Sequence, residues 1–226
     1  MVNSKDNKRA IILFLLGITL CIPYLLMCHR FGRTPEMKPF RCLFKIPINL
    51  CWMGVACIGS KRMQGDLKKK ILMALTFYMI GDILAPAHYL VGGVAFGIGH
   101  LFIISGYIRQ YGMSRRQLGC LAAISAILIT ILVASLGLDW KIPFISIYII
   151  ILATLYVVSF GDKYIFLTVN IFLLSDAIAY VRKMFFNYNW LYDITLSVYY
   201  LAILLYCFSF WRPEKDGNSS SSDVLN

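Results

Sequence analysis

Eight apolar runs, each about as long as a bilayer core is thick, follow one another along this chain with little between them. A helix rises about 1.5 Å per residue, so about 20 apolar residues cross the hydrocarbon layer. In 226 residues, eight crossings leave room for short loops and for no attached soluble domain. The runs fall at 9–27, 44–60, 71–87, 91–110, 115–136, 143–160, 163–182 and 190–211, each bounded by charges, Pro or Gly. Only 15% of the residues are charged and 59% are hydrophobic, whereas a soluble domain carries about a quarter charged residues. The expected fold is all-α: a polytopic transmembrane helical bundle of about eight spans forming one domain over 1–211, with a disordered polar tail over 212–226. Two sets of four spans are compatible with a 4+4 internal repeat.

The second, third and sixth runs are short or interrupted, at Pro47, Pro86 and Pro143. Such breaks are tolerated where neighbouring helices satisfy the freed backbone groups. The first run follows Lys8 and Arg9 as a signal peptide would, but it is longer than an h-region and lacks a small-x-small cleavage site before Cys28-His29-Arg30, so it reads as a span. The net charge of +11 comes from Lys and Arg scattered between apolar runs, not from one basic face with interleaved aromatics, so nucleic acid is not the expected partner. More of these cations flank the N-terminus and the even-numbered loops (Lys5, Lys8, Arg9; Lys61, Arg62, Lys68, Lys69, Lys70; Arg115, Arg116) than the odd-numbered loops. The positive-inside rule then expects both termini in the cytoplasm. Most of the seven Cys lie in apolar runs, without CxxC spacing, and read as small buried hydrophobes.

All but two of the eleven acidic residues fall in loops, tails or at span ends. The exceptions are Asp82 and Asp176, each at a cost of about 2.5–3.5 kcal/mol on insertion scales. Asp82 follows Gly81 in the third span and Asp176 follows Ser175 in the seventh. Both lie roughly 17–20 Å from the same face if the spans are straight helices. Spans four apart run in the same direction, so the repeat would place the carboxylates in facing positions. Gly81 and Ser175 would let a helix or a substrate approach closely. The bland alternative is that each Asp hydrogen-bonds a neighbouring helix and fixes packing.

His100 follows a small-residue run in which Gly93 and Gly97 form a GxxxG pair, a close-packing signature first. A lone His in a span is more often an interhelical hydrogen bonder than a ligand. The three His have no i,i+4 partner, and no metal site or cofactor is expected. GxSxG, P-loop and HExxH motifs are absent. Lys45 opens the second span and can snorkel toward the headgroups, and Arg182-Lys183 close the seventh. These cations are either ordinary flanks or holders of a substrate phosphate.

Two blocks carry a resemblance. The first is Tyr78-Met79-Ile80-Gly81-Asp82-Ile83-Leu84 followed by Gly93, Phe96 and His100. The second is Phe172-Leu173-Leu174-Ser175-Asp176 with Lys183, then Tyr199-Tyr200. In order and spacing they resemble the GD-x-x-L … G-x-x-x-F-x-x-x-H and F-x-x-SD … K … YY patterns of the lysoplasmalogenase (YhhN-like) family, and Tyr148 matches a family tyrosine. Ile103 stands where that family often has Tyr, and Lys45 is one residue out of register with its Lys before Pro.

The resemblance implies hydrolysis of the vinyl-ether bond of a lysoplasmalogen, giving a fatty aldehyde and glycerophosphoethanolamine or glycerophosphocholine, with Asp82 and Asp176 as the working carboxyls. It implies Lys45, His100, Tyr148, Lys183, Tyr199 and Tyr200 as substrate-binding residues. Vinyl-ether cleavage needs a proton donor, a group that orients water and nearby negative charge, and two carboxyls in a low-dielectric bundle can supply these without metal or nucleotide. The implied partners are the lysophospholipid and membrane lipids, in a plasma membrane if the source is bacterial or an endomembrane if eukaryotic. Two readings compete: a small proton-coupled transporter or channel using the same carboxylates, and a non-catalytic lipid-binding protein.

Overall fold

The computed structural model describes residues 4–31, 34–62, 65–136, 142–184 and 188–211. They form eight helices: α1 Ser4–Phe31, α2 Lys38–Gly59, α3 Asp66–Leu84, α4 Tyr89–Tyr111, α5 Arg115–Leu136, α6 Ile142–Val158, α7 Lys163–Met184 and α8 Asn189–Phe208. Every apolar run becomes a helix, and the expected helical bundle is what is found. The expected disordered tail, 212–226, lies outside the described residues. Seven helices are long and apolar enough to cross a membrane. The eighth, α3, carries Asp66 and Lys68, Lys69 and Lys70 in its first turns and Asp82 near its end.

The first three helices begin well before their apolar runs, α2 at Lys38 and α3 at Asp66. Hydropathy marks the part of a helix that meets lipid, whereas the backbone hydrogen bonds carry on through charged turns. The prolines also sort differently from expectation. Pro47 lies inside α2, and so does Pro23 inside α1. Pro143 is the second residue of α6, in the first turn where its missing N–H has no intrahelical partner to lose. Pro86 sits in the turn that ends α3: the Ala85 N–H donates to Gly81 O (2.8 Å) and the His88 N–H to Leu84 O (2.8 Å). At the other end of the α3–α4 hairpin, Gly65 (φ 87°) and Gly112 (φ 72°) occupy the left-handed region open to glycine.

Consecutive helices pair as α1–α2, α3–α4, α5–α6 and α7–α8. Between pairs, α2 touches α8 and α4 touches α6, while α2 meets α3 and α6 meets α7. Advancing each helix number by four exchanges the members of each of these couples, the pattern a 4+4 repeat produces. The interior is rich in aromatics, with Tyr24, Tyr78, Tyr206 and Phe172 fully buried. Large apolar side chains cover the outside, among them Ile11, Ile12, Leu15 and Leu26 on α1 and Leu118, Ile127 and Ile131 on α5, as a lipid-facing surface requires. Cys57 and Cys120, expected to be buried, face outward.

The closest seam lies between α3 and α4, and it is not made by the expected GxxxG pair. A Cβ on Gly93 would meet nothing, and one on Gly97 would make only ordinary contact with Ile151 and Tyr148. Gly92, Gly99 and Gly106, spaced by seven, do the work: a Cβ would fall 2.7 Å from Ala85, 2.5 Å from the Tyr78 ring and 2.8 Å from Leu67. Seven residues is nearly two whole turns, so the three glycines line one stripe along α4. Gly81 faces the same seam, against the Gly92 carbonyl and the Phe96 ring. This approach seats Tyr78 of α3 beside His100 of α4.

Candidate functional site

The two carboxylates occupy different surroundings. Asp82 lies two residues before the end of α3 and is 3% exposed. Lys45 of α2 reaches its Oδ1 at 2.5 Å and also donates to its backbone carbonyl at 3.0 Å. The Asn49 amide donates to Oδ2 at 2.8 Å and the Tyr200 hydroxyl of α8 to the same oxygen at 3.3 Å. Lys45 is not snorkelling, as its position at the edge of the apolar run suggested. Because α2 starts at Lys38, Lys45 stands two turns inside the helix and is 3% exposed, with its ammonium 5.9 Å from the Tyr24 ring centroid. A buried charge is tolerable when paired and hydrogen-bonded, and Asp82 has both kinds of partner.

Asp176, fourteenth residue of α7, meets no cation among the described residues. Its Oδ2 accepts from the Tyr148 hydroxyl of α6 at 2.9 Å. The Tyr148 oxygen is in turn 3.5 Å from His100 Nε2, a long contact, and His100 Nδ1 is 2.8 Å from the Tyr78 hydroxyl. One tautomer of His100 gives the chain a consistent direction. With Tyr148 donating to the carboxylate, a neutral His100 donates through Nε2 to the Tyr148 oxygen and accepts at Nδ1 from Tyr78. The chain thus runs Tyr78, His100, Tyr148, Asp176, with donation toward the carboxylate. His100 is wholly buried and packs edge-on against Phe172 (4.9 Å between centroids).

Tyr199 joins the two clusters. Its hydroxyl is 3.4 Å from the Tyr78 carbonyl, and its ring packs on Tyr200, Phe96 and Phe172. Ser175 is buried, and its hydroxyl donates to the Thr195 carbonyl of α8 at 3.2 Å, so that small residue marks a helix contact. The expectation that the carboxylates face one another as a pair is replaced by two stations with separate partners. Each draws a side chain from the preceding helix (Lys45 of α2, Tyr148 of α6) and one from the twelfth position of a helix of the other pair (Tyr200 of α8, His100 of α4). The repeat therefore places chemically unlike groups at corresponding points.

Seven of the eight residues singled out in the sequence are gathered here: Asp82, Lys45 and Tyr200 in one cluster, Asp176, Tyr148 and His100 in the other, with Tyr199 between them. The side chain of Lys183 lies outside the described residues. Asn49 and Tyr78 were not foreseen as contacts. Asn49 also lines a cavity of about 10 Å³ with Trp52, Leu75, Tyr78 and Cys207, room for roughly one water. Among the described residues no three His, Cys, Asp or Glu side chains converge as metal ligands would.

A family model described as the YhhN family matches residues 40–210. The chain belongs to the YhhN family. The match spans α2 through α8 and includes both carboxylate blocks, and YhhN is the lysoplasmalogenase family whose motifs the sequence resembles. The search of curated proteins and the search of solved structures returned no match.

Proposed function

We propose that this YhhN-family membrane protein is a lysoplasmalogenase, hydrolysing the vinyl-ether bond of a lysophospholipid to a fatty aldehyde and the glycerophospho-headgroup. The observation that carries the reading is the unlike setting of the two carboxyls: Asp82 is paired with Lys45, whereas Asp176 has a tyrosine partner and no cation among the described residues. In this proposal Asp176 delivers the proton to the vinyl β-carbon, assisted by Tyr148. The oxocarbenium ion that forms is stabilised by the negative charge of Asp82, and water adds to its carbon while giving up a proton that restores the Asp176 acid. The resulting hemiacetal loses the glycerol oxygen as an alcohol, which leaves the aldehyde. One water is consumed and no electrons leave the substrate.

A second carboxylate that stays anionic while the first gives up its proton is what an oxocarbenium path calls for, as in glycoside hydrolysis. Positioned acid–base groups contribute about 10²–10⁴-fold. Asn49 touches both Asp82 and the small cavity, and in this scheme it orients the water. Tyr200 donates to Asp82, and Tyr199 packs between Tyr200 and Phe172.

The test is direct. Purified protein in detergent is incubated with a lysoplasmalogen and with its saturated ether analogue, and aldehyde is followed. Aldehyde from the vinyl ether alone supports the proposal. A folded protein that yields none sinks it, and a proton flux across proteoliposomes in its place would favour the transporter reading.

A further inference from the structure

At the end of the bundle where α2 and α8 begin, two buried polar atoms of opposite sign lack partners. Arg41 is 5% exposed, forms no ion pair among the described residues, and its Nε has no hydrogen-bond partner. Asp193 pairs through Oδ2 with His29 at 2.8 Å, while its buried Oδ1 accepts from nothing. Arg41 lies in the first turn of α2 and Asp193 in the first turns of α8, and Cys28 is in electrostatic range of both and of Lys45. A buried guanidinium without an anion is expensive. Its persistence points to an anion that arrives with a ligand.

The spacing identifies the ligand. Lys45 and Tyr200 both hold Asp82 and mark the level of the chemistry. Arg41 stands four residues earlier on α2, about 6 Å toward the bundle end, and Asp193 seven residues earlier on α8, about 10 Å in the same sense. In an extended lysophospholipid, five bonds from the ether oxygen reach phosphorus, about 6 Å, and four more reach the headgroup nitrogen, about 5 Å further. The anion and the cation of a zwitterionic headgroup thus fall at the levels of Arg41 and Asp193.

We propose that Arg41 and Asp193 form a headgroup subsite, with the Arg41 guanidinium taking the phosphate and the free Asp193 oxygen taking the primary ammonium of an ethanolamine lysophospholipid. The proposal rests on the lysolipid reading above and adds a preference. Ethanolamine offers N–H donors to Oδ1, whereas choline offers none. Arg suits the phosphate because its planar fork binds oxyanions in two places.

Binding to the full-length protein in detergent tests it without turnover, using saturated 1-O-alkyl lysophosphoethanolamine, the matching choline lipid, and inorganic phosphate. Arg41→Gln should weaken both lipids roughly 10–100-fold, the range of a charge-assisted contact. Asp193→Asn should weaken the ethanolamine lipid by about 10-fold and leave the choline lipid nearly unchanged. Arg41→Lys, which keeps the charge and loses the fork, should bind between wild type and Gln. Unliganded Arg41→Gln should melt no lower than wild type, since Arg41 has no internal partner among the described residues to lose. Unchanged lipid binding in Arg41→Gln or Arg41→Lys, or a large melting loss without a binding loss, overturns the phosphate role. Equal losses for both headgroups in Asp193→Asn overturn the ammonium role, and inorganic phosphate competing as well as the lipid would assign Arg41 to a free anion. Arg41-dependent binding by a protein that releases no aldehyde would keep the subsite and remove the hydrolase reading. Turnover with binding indifferent to Arg41 would do the reverse.

Discussion

Lys45 of α2 and Asp82 of α3 form an ion pair in which both side chains are 4% exposed. Removing one member of such a pair strands the other charge in a medium that solvates it poorly, at about 3–5 kcal/mol, whereas replacing both with apolar groups can be nearly neutral. Lys45→Met and Asp82→Asn should therefore each lower the melting temperature, and the double variant should recover much of the loss. Thermal melts of the four proteins in one detergent check this, and strictly additive losses would show that the two side chains act independently. Activity should not recover in the double variant, because the negative charge beside the substrate is gone.

The α3–α4 seam makes a prediction that separates neighbouring glycines. Gly99→Ala puts a methyl 2.5 Å from the Tyr78 ring, and Gly93→Ala puts one into open space. Overpacking typically costs about 1–3 kcal/mol, so Gly99→Ala should destabilise the protein and displace Tyr78 from His100. Gly93→Ala should melt at or slightly above wild type, since alanine is the better helix former. Equal melting of the two variants would mean that the seam is looser than these contacts require.

Topology can be read with cysteine labelling. If the termini are cytoplasmic, the turn at Pro86–His88 lies on the opposite side, because α1, α2 and α3 each cross once. Single cysteines at Ser4 and Ala87 in a background cleared of reactive cysteines should label from opposite sides of sealed vesicles. Labelling from one side would mean that α3, with its four charges in the first turns, does not cross.

Much of the architecture was legible because lipid demands long apolar segments, and all eight runs became helices. Helix ends were not, since hydropathy reports contact with lipid and not hydrogen bonding, which is how Lys45 was read as an edge residue. The same error hid a signal. Arg41, Lys45 and Asn49 recur at i, i+4 and i+8 on α2 and all three are buried, a polar stripe on one face of an apolar helix. Once α2 is extended back to Lys38, that stripe points inward. The carboxylates were found because an Asp in a span is costly wherever it faces. Their separate partners were not, because which side chain from another helix meets an Asp depends on packing that no local pattern encodes. The glycine seam is hidden for a related reason: GxxxG is the familiar close-packing spacing, whereas the glycines that meet α3 recur every seven residues, from Gly92 to Gly106.

The hydrogen-bond chain from Tyr78 through His100 and Tyr148 ends on Asp176. If Asp176 is the proton donor, Asp176→Asn should lose about 10²–10⁴-fold in turnover while the protein remains folded, because no buried cation is stranded by the change. Asp82→Asn, in contrast, should lose both activity and stability. Tyr148→Phe removes the hydroxyl that donates to the Asp176 carboxylate and should lower kcat by roughly 10–100-fold with little change in KM, the signature of an interaction made chiefly in the transition state. Tyr78→Phe acts two links further away, through the long His100 contact, and should cost less than Tyr148→Phe. The double variant Asp176→Asn/Tyr148→Phe should be little worse than Asp176→Asn alone, since the tyrosine then has no acid to position. Multiplicative losses would place Tyr148 on the substrate itself, and full activity in Asp176→Asn would take Asp176 out of the reaction.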